Sequence, residues 1–147
     1  MHSLWNEPSR TQVASRLERL TSDTRASWGR MTAPQMVAHL SNALRMASGE
    51  IKPALRKLPL RYPGIKHLII YVFPFPKNVA TATELIDRVP GPWDRETKDL
   101  LREVQSFGKR HGRGEWPVHP AFGKLSPNAW GVLAYRHIDH HFKQFGI

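Results

Sequence analysis

Helix start signals followed by apolar residues at helical spacing recur along this 147-residue chain, and they constrain its fold more than any other feature. Thr32 and Gln35 match a capping box, in which two side chains satisfy two free backbone N–H groups at a helix start. Ser9 and Gln12 match a second one. No segment shows the apolar–polar alternation that is typical of a strand. The chain is therefore predicted to be all-α.

Four main helices follow from these signals and from the apolar spacing behind them. Asp94 and Ser126 are predicted N-caps, because a short side-chain oxygen can accept from the first free N–H groups of a helix. Glycine favours a helix end, which indicates where the second and third helices stop. The predicted helices are residues 9–21, residues 34–48, Asp94 to about Gly108, and Ser126 to about Gln144.

Residues 51–83 connect the second and third main helices. This stretch is rich in proline and contains no Asp or Glu, and only a short apolar helix near residues 65–72 is predicted within it. It is long for a structureless loop, so we expect it to wrap the domain or to shape a site. Four main helices with one long crossover predict a four-helix bundle, formed as a single domain over residues 1–147.

Cysteine is absent, which excludes a disulfide scaffold, a thiolate zinc site, a cysteine nucleophile and a C-x-x-C redox pair. The N-terminal residues lack the basic start and apolar core of a signal peptide. The longest apolar run, residues 68–73, is far shorter than the ~20 residues that cross a bilayer. These features predict a soluble protein of the cytoplasm that does not enter a membrane.

The chain is strongly basic, with 22 Lys and Arg against 12 Asp and Glu and a formal charge of +10. The crossover could therefore bind an anionic substrate, a nucleic acid or an acidic protein. Its basic residues are Lys52, Arg56, Lys57, Arg61 and Lys66. Tyr62 and Tyr71 could stack on bases, although packing against the bundle is commoner. A non-catalytic basic bundle that binds nucleic acid or a protein partner is thus the alternative function.

Histidines on the apolar face of the last helix give the sharpest functional signal. At about 100° per residue, His137 and His141 fall within the stripe that includes Trp130 and Leu133. Their i, i+4 spacing places both rings on one face, close enough to share an ion.

A third histidine is predicted to point inward from another helix. His39 shares a face of the second helix with Met36 and Ala43. Three inward imidazoles make a three-ligand metal site with one position open, which is the layout of a catalytic ion. Hydrogen-bonded core histidines are the alternative interpretation of the same spacing.

Other polar residues have both functional and structural interpretations. Gln35 and Gln144 could hold a ligand ring in place, but Gln35 is favoured as a capping-box partner and Gln144 could cap its helix end. His119 lies in a proline-flanked loop and is either a loop anchor or a pocket residue. Asp139 is predicted to form a surface ion pair with Lys143.

The chain resembles the DinB-like superfamily, and more narrowly a branch of it that is labelled only as a domain of unknown function. The resemblance covers most of the chain. Its most specific feature is the paired C-terminal H-x-x-x-H together with the earlier lone His. The segments that carry the resemblance are residues 34–40 (PQMVAHL), 75–78 (FPKN), 119–125 (HPAFGKL) and 137–146 (HIDHHFKQFG).

This resemblance implies a four-helix bundle without simple up-down order and with a long connection between the second and third helices. It implies a divalent metal, commonly nickel or zinc, held by His39, His137 and His141, whereas His140 matches no ligand position. Relatives include transferases and isomerases that use low-molecular-weight thiols, and homodimers are common. The first functional hypothesis is therefore a metal-dependent transferase or hydrolase that acts on a small, anionic molecule. A thiol would come from a cosubstrate.

Overall fold

The computed structural model describes residues 1–55, 59–77, 83–112 and 114–147, and this part of the chain is all-helical. Its α-helices are α1 (Glu7–Leu17), α2 (Ala33–Ser48), α3 (Pro63–His67), α4 (Trp93–Lys109) and α5 (Pro127–Gln144). A π-helical turn, Leu68–Val72, continues α3, and 3₁₀ turns cover Pro59–Arg61 and Thr83–Leu85. None of the helices in the described ranges is long and apolar enough to cross a membrane.

The predicted starts of α2 and α5 are confirmed. The Thr32 hydroxyl accepts from the Gln35 backbone N–H at 3.3 Å, and the Gln35 side chain accepts from the Thr32 N–H at 2.9 Å. Gly49 ends α2 with φ of +85°, a conformation that costs glycine little. At the start of α5, Ser126 accepts from the Ala129 N–H at 3.2 Å. The two helices that carry the candidate ligands are thus fixed by local signals.

The predicted capping box at the start of α1 is wrong. The helix begins at Glu7, and Pro8 lies in its first turn, where the fixed φ of proline is already helical. Ser9 is buried beside His2, and Gln12 accepts a hydrogen bond from the Tyr135 hydroxyl at 2.7 Å. Both presumed capping side chains are therefore engaged elsewhere.

The predicted N-cap of α4 is also wrong. The helix begins at Trp93 after Pro92, and no side chain caps it. Asp94 lies inside the first turn with Glu96, where negative charge is favourable near the free N–H groups of the helix. Leu100 and Val104 are fully buried, so this face of α4 packs into the core.

The four longer helices pack pairwise around one core. Helix α2 packs against α4 and α5, and α1 packs against the same two helices. The largest fully buried side chains include Phe142 on α5 and Met36 and Leu40 on α2. The facing sides of α2 and α5 are therefore interior surfaces.

The crossover between α2 and α4 is bound to α5. Its π-helical turn packs on α5, and Ile70 within that turn is fully buried. Arg136 on α5 donates to the carbonyl of Ile69 at 3.0 Å and also to those of Ile70 and Phe73. The described part of the crossover around Ile69 and Ile70 thus packs on the domain, and Leu60 and Ile69 also line a cavity, so both predicted roles are represented.

Gly131→Ala is expected to destabilise the protein by about 1–3 kcal/mol, because it overpacks a tight crossing. The Leu4 N–H donates to the Gly131 carbonyl at 3.0 Å. A Cβ on Gly131 would overlap Trp5 Nε1, so the indole would have to move. Urea unfolding measures the effect. Gly64→Ala is the control, since a Cβ there meets nothing within 4 Å, and equal stability of the two variants would contradict the prediction.

Candidate metal centre

Three histidine side chains from two helices converge at one point. His39 extends from α2, and His137 and His141 extend from α5. One ring nitrogen of each lies within 4.8 Å of the others. The ring centroids are 4.9 Å apart for His39–His137 and His137–His141, and 5.0 Å apart for His39–His141. The structure thus brings together the three residues that the sequence predicted, and such a cluster could hold a metal ion.

Helix periodicity and burial explain this convergence. His137 and His141 lie one turn apart on the face of α5 that packs against α2. His39 is 2% exposed and His141 is 9% exposed, whereas His137 keeps partial exposure. Polar rings at such depth need hydrogen-bond or ion partners.

The His39 ring is oriented by a backbone carbonyl. Its Nδ1 lies 3.4 Å from the Leu85 oxygen, and a carbonyl can only accept, so Nδ1 carries the proton. The same oxygen accepts from Asn42 Nδ2 at 3.3 Å. In the neutral ring, Nε2 of His39 is therefore left with its lone pair toward the cluster.

A side-chain amide orients the His141 ring. Gln144 Nε2 donates to the Trp28 carbonyl at 2.6 Å, which turns Gln144 Oε1 toward His141. This oxygen lies 2.8 Å from His141 Nδ1 and accepts a hydrogen bond from its N–H. Nε2 of His141 is then unprotonated in the neutral ring, as metal ligation requires. Of the two predicted roles for Gln144, the structure thus shows contact with the ring.

The spacing of one pair of ring nitrogens fits a bound cation, and all three candidate ligand atoms lie within 4.8 Å of one another. Nε2 of His39 and Nε2 of His137 are 3.1 Å apart, so they must share either a proton or an ion. Zinc–nitrogen bonds of about 2.0–2.1 Å in tetrahedral geometry place two ligand nitrogens about 3.3 Å apart. The present separation needs little adjustment to reach that value. An all-imidazole donor set suits zinc, nickel, copper or iron.

Burial keeps the three imidazoles neutral. It lowers the pKa of His39 to about 4 and that of His141 to about 3. Burial, together with the neighbouring histidines, lowers the pKa of His137 well below its usual value. At pH 7 all three rings can therefore offer a lone pair.

All three histidines line a cavity of about 1110 Å³. His119 lies in the same wall, and its Nδ1 accepts from the backbone N–H groups of Ala121 at 3.1 Å and Phe122 at 3.2 Å. His119 is thus both the predicted loop anchor and a cavity residue. Burial lowers its pKa to about 4.

Two further candidates lie nearby but outside the cluster. His140 lines the cavity, with its ring centroid 6.0 Å from Trp28 and 5.9 Å from Phe75. Gln35 also lines the cavity, but its side chain is engaged in the capping box with Thr32. The favoured structural interpretation of Gln35 is therefore confirmed.

Three of the five basic residues singled out in the crossover lie in the described part of the chain. Arg56 and Lys57 lie outside the described residues. Lys52 is exposed and Arg61 is half-buried. Lys66 donates to a backbone carbonyl of the loop before α5 at 2.9 Å. The described members are thus not a set of free, exposed cations.

The structure also tests the other residues that the sequence analysis singled out, two tyrosines and one aspartate. The predicted packing against the bundle is wrong for Tyr62, which is 68% exposed, and is confirmed for Tyr71, which is half-buried and packs against the core. The predicted ion pair of Asp139 with Lys143 is confirmed at 2.7 Å. Arg16 on α1 also contacts Asp139 at 2.7 Å, a partner that the sequence did not indicate.

Three groups around the cluster were missed by the sequence interpretation: the carbonyls of Leu85 and Trp28, and the Asn42 amide. Asn42 lies three residues after His39, so helical spacing could have identified it. The two carbonyls are backbone groups in connecting segments, and no side-chain pattern indicates them.

Gln144→Leu is expected to weaken zinc binding about 10–100-fold, because it removes the acceptor that orients His141. Competition with a chromophoric chelator measures the dissociation constant. Gln35→Leu is the matched control, since Gln35 lines the same cavity but its side chain accepts from the Thr32 N–H at the start of α2. Equal loss in both variants would show that the effect is not specific to His141.

Comparison with known proteins gives one match. The family model described as "Protein of unknown function (DUF1569)" matches residues 8–146, a span that includes all three histidines. No curated protein and no solved structure matches the chain. The comparisons therefore assign a family without assigning a reaction.

Proposed function

The chain belongs to the DUF1569 family, and we propose that it is a divalent-metal-binding enzyme whose ion is held by His39, His137 and His141. One observation carries the proposal: neutral imidazoles from α2 and α5 converge with nitrogens 3.1 Å apart for the closest pair, in the wall of a large cavity. Hydrogen bonds to Leu85 and Gln144 orient two of these rings with Nε2 unprotonated. Hydrogen-bonded core histidines would make the same Nδ1 contacts, so the convergence of the remaining ring nitrogens is what favours an ion.

We also propose that the family is DinB-like and that the chain forms a single four-helix-bundle domain over residues 1–147. The pairwise packing of α1, α2, α4 and α5 supports this, as does the long connection between α2 and α4. The origin of the candidate ligands, one from the second long helix and two from the last, supports it further. Homodimer formation and a cytoplasmic location stay predictions of the sequence.

Three protein ligands leave a coordination position open for a substrate. When bound by the three histidines, a divalent ion would supply Lewis acidity toward a water or thiol at that position. The chain has no cysteine, so a reacting thiol would belong to a cosubstrate. The surrounding cavity wall includes buried apolar side chains such as Leu40 and Leu133, which limit water at the site. Thiol transfer and hydrolysis are the reaction classes that this arrangement suits.

Metal analysis tests the proposal directly. Protein purified without a His-tag or a nickel column is expected to contain about one zinc or nickel ion per chain, or to take up one when it is supplied. Thiol-transfer and ester-hydrolysis assays on the loaded protein then test for turnover. Failure to bind any divalent ion would overturn the proposal, and stoichiometric metal without turnover would reduce it to a binding role.

A further inference from the structure

The cavity is open to solvent near the three histidines, which we call the triad. Five of its lining residues are exposed, and we call them the rim: Gly29, Arg30, Gln35, Pro76 and Ile86. Gln35 lies one helical turn before His39 on α2, so the rim lies beside the triad. His137 is itself partly exposed. A ligand can therefore reach the triad across the rim.

A tryptophan next to the rim connects it to the triad. Trp28 lines the cavity, and its carbonyl accepts from Gln144, the residue that orients His141. The Trp28 ring centroid lies 6.0 Å from that of His140, and the His140 centroid lies 5.3 Å from that of His141. The Trp28 ring is therefore two ring contacts away from a candidate ligand.

Two cations flank this tryptophan. Arg30 follows Trp28 by two residues, is exposed, and is the sole Lys or Arg among the described cavity-lining residues. Lys77 is also exposed, and its ammonium lies 4.3 Å from the centroid of the Trp28 ring. No Asp or Glu is among the described lining residues. Neither cation takes part in the ion pairs that the described part of the chain forms.

Unpaired positive charge at a cavity mouth favours ligands of one sign. It attracts anions toward the opening and repels cations from it. A guanidinium also offers a planar fork of N–H donors that matches the oxygens of a carboxylate or a phosphate. Both cations are exposed, so solvent screens them and each contributes modestly. The rim can thus select the charge of one end of a ligand, while the triad holds the other end.

We propose that Arg30, assisted by Lys77, binds an oxyanion of the substrate, such as a carboxylate, while the other end of the substrate coordinates the ion at the triad. This inference rests on the proposed function for the coordinating end, whereas the rim depends only on the described residues around it. It also changes where an anion is recognised. The sequence assigned that role to the crossover, but Arg30 lies in the connection between α1 and α2.

Chelators that share one head and differ in the charge of the tail test the inference. Titration calorimetry of the zinc-loaded protein would compare glutarate monohydroxamate, pentanohydroxamate and 4-aminobutanohydroxamate, whose tails are negative, neutral and positive. The negative tail is expected to bind at least about fivefold more tightly than the neutral one, as one partly hydrated ion pair allows, and the positive tail more weakly than both. Longer homologues are measured in parallel, because the rim and the triad are two ring contacts apart. Raising NaCl from about 0.1 M to about 1 M is expected to remove most of the preference.

Variants of exposed residues locate the bound charge. Arg30→Gln is expected to lose most of the preference, so that the negative and neutral tails bind nearly alike, and Lys77→Gln is expected to lose a smaller part. Arg25→Gln is the matched control, since Arg25 is an exposed arginine of the same connection and is not among the described cavity-lining residues. It is expected to keep the full preference. Substitutions at such exposed positions have little effect on stability.

The metal-free protein gives a second readout that needs no ion. Titration with glutarate is expected to shift the NMR signal of the Trp28 indole N–H, which a Trp28→Phe variant identifies. The uncharged analogue 1,5-pentanediol is expected to leave the signal in place. Arg30→Gln is expected to abolish the glutarate shift, and Arg25→Gln is expected to keep it.

The outcomes separate this inference from the proposed function. If zinc binds and tails of different charge bind alike, the inference is wrong and the proposed metal site still stands. A charge preference that Arg30→Gln leaves unchanged also overturns the inference. If no divalent ion binds, the proposed function is wrong and the glutarate titration decides. A shift that depends on Arg30 then supports the anion site at the rim, and the absence of a shift overturns it.

Discussion

His137→Ala is expected to abolish stoichiometric metal binding and to weaken zinc affinity by roughly a thousandfold. Structural zinc sites contribute about 10–16 kcal/mol from all their ligands together, so the loss of one ligand corresponds to about 4 kcal/mol. His137 has the closest approach to a neighbouring ligand nitrogen, at 3.1 Å from His39 Nε2. Metal content after gel filtration and competition with a chromophoric chelator both measure the effect.

His140→Ala is the matched control for this variant. His140 is a histidine on the same helix and lines the same cavity, but it lies outside the metal-compatible cluster. The His140→Ala protein is expected to bind zinc as tightly as the wild type. If it loses as much affinity as His137→Ala, or if His137→Ala keeps its ion, the proposed ligand set is wrong.

The second large effect is a loss of stability in acid. The metal-free protein is expected to lose about 3 kcal/mol for each of His39 and His119 between pH 7 and pH 4. Burial lowers the pKa of both rings to about 4, whereas a histidine of the unfolded chain titrates near 6.5. Below about pH 6.5 the unfolded state therefore binds protons that the folded state does not, and the free energy of unfolding falls until pH 4 is reached.

His119 allows this effect to be measured away from the candidate ligands. Its Nδ1 accepts two backbone N–H groups, from Ala121 and Phe122, and protonation would break both hydrogen bonds. His119→Asn keeps an acceptor oxygen but does not titrate, so its stability is expected to fall by about 3 kcal/mol less than that of the wild type over the same range. Urea unfolding at several pH values, after treatment with a chelator, gives the comparison. Parallel pH profiles for the two proteins would contradict the assignment.

The parts of the fold that were predicted correctly depend on local signals. Both ends of α2 follow from the Thr32 capping box and from Gly49, because each acts within one turn of its own backbone. The predicted starts of α1 and α4 were wrong because a proline lies at each true start. Pro8 is inside the first turn of α1, and Pro92 directly precedes α4. Side-chain caps and prolines compete for the same positions, and the sequence alone does not rank them.

In the candidate site, too, the features that depend on local spacing could be predicted, and those that depend on tertiary packing could not. The i, i+4 spacing of His137 and His141 predicts one shared face, and the structure confirms that their rings lie together. The approach of His39 depends on how α2 and α5 pack, which is a tertiary property that periodicity only suggests. The carbonyls that complete the hydrogen-bond network, from Leu85 and Trp28, could not be predicted, because any residue can supply a backbone oxygen.

The candidate ligands come from two helices that are far apart in the chain, and this determines when an ion could bind during folding. His39 and His137 are 98 positions apart in the chain, whereas His137 and His141 are one helical turn apart. The unfolded protein can offer only the local pair, so its affinity for the ion is weak and the folded state gains most of the binding free energy. The complete set exists only after α2 and α5 have docked, so the effect of the ion on the two rates reports when that docking occurs: docking after the transition state would slow unfolding and leave the rate of folding nearly unchanged.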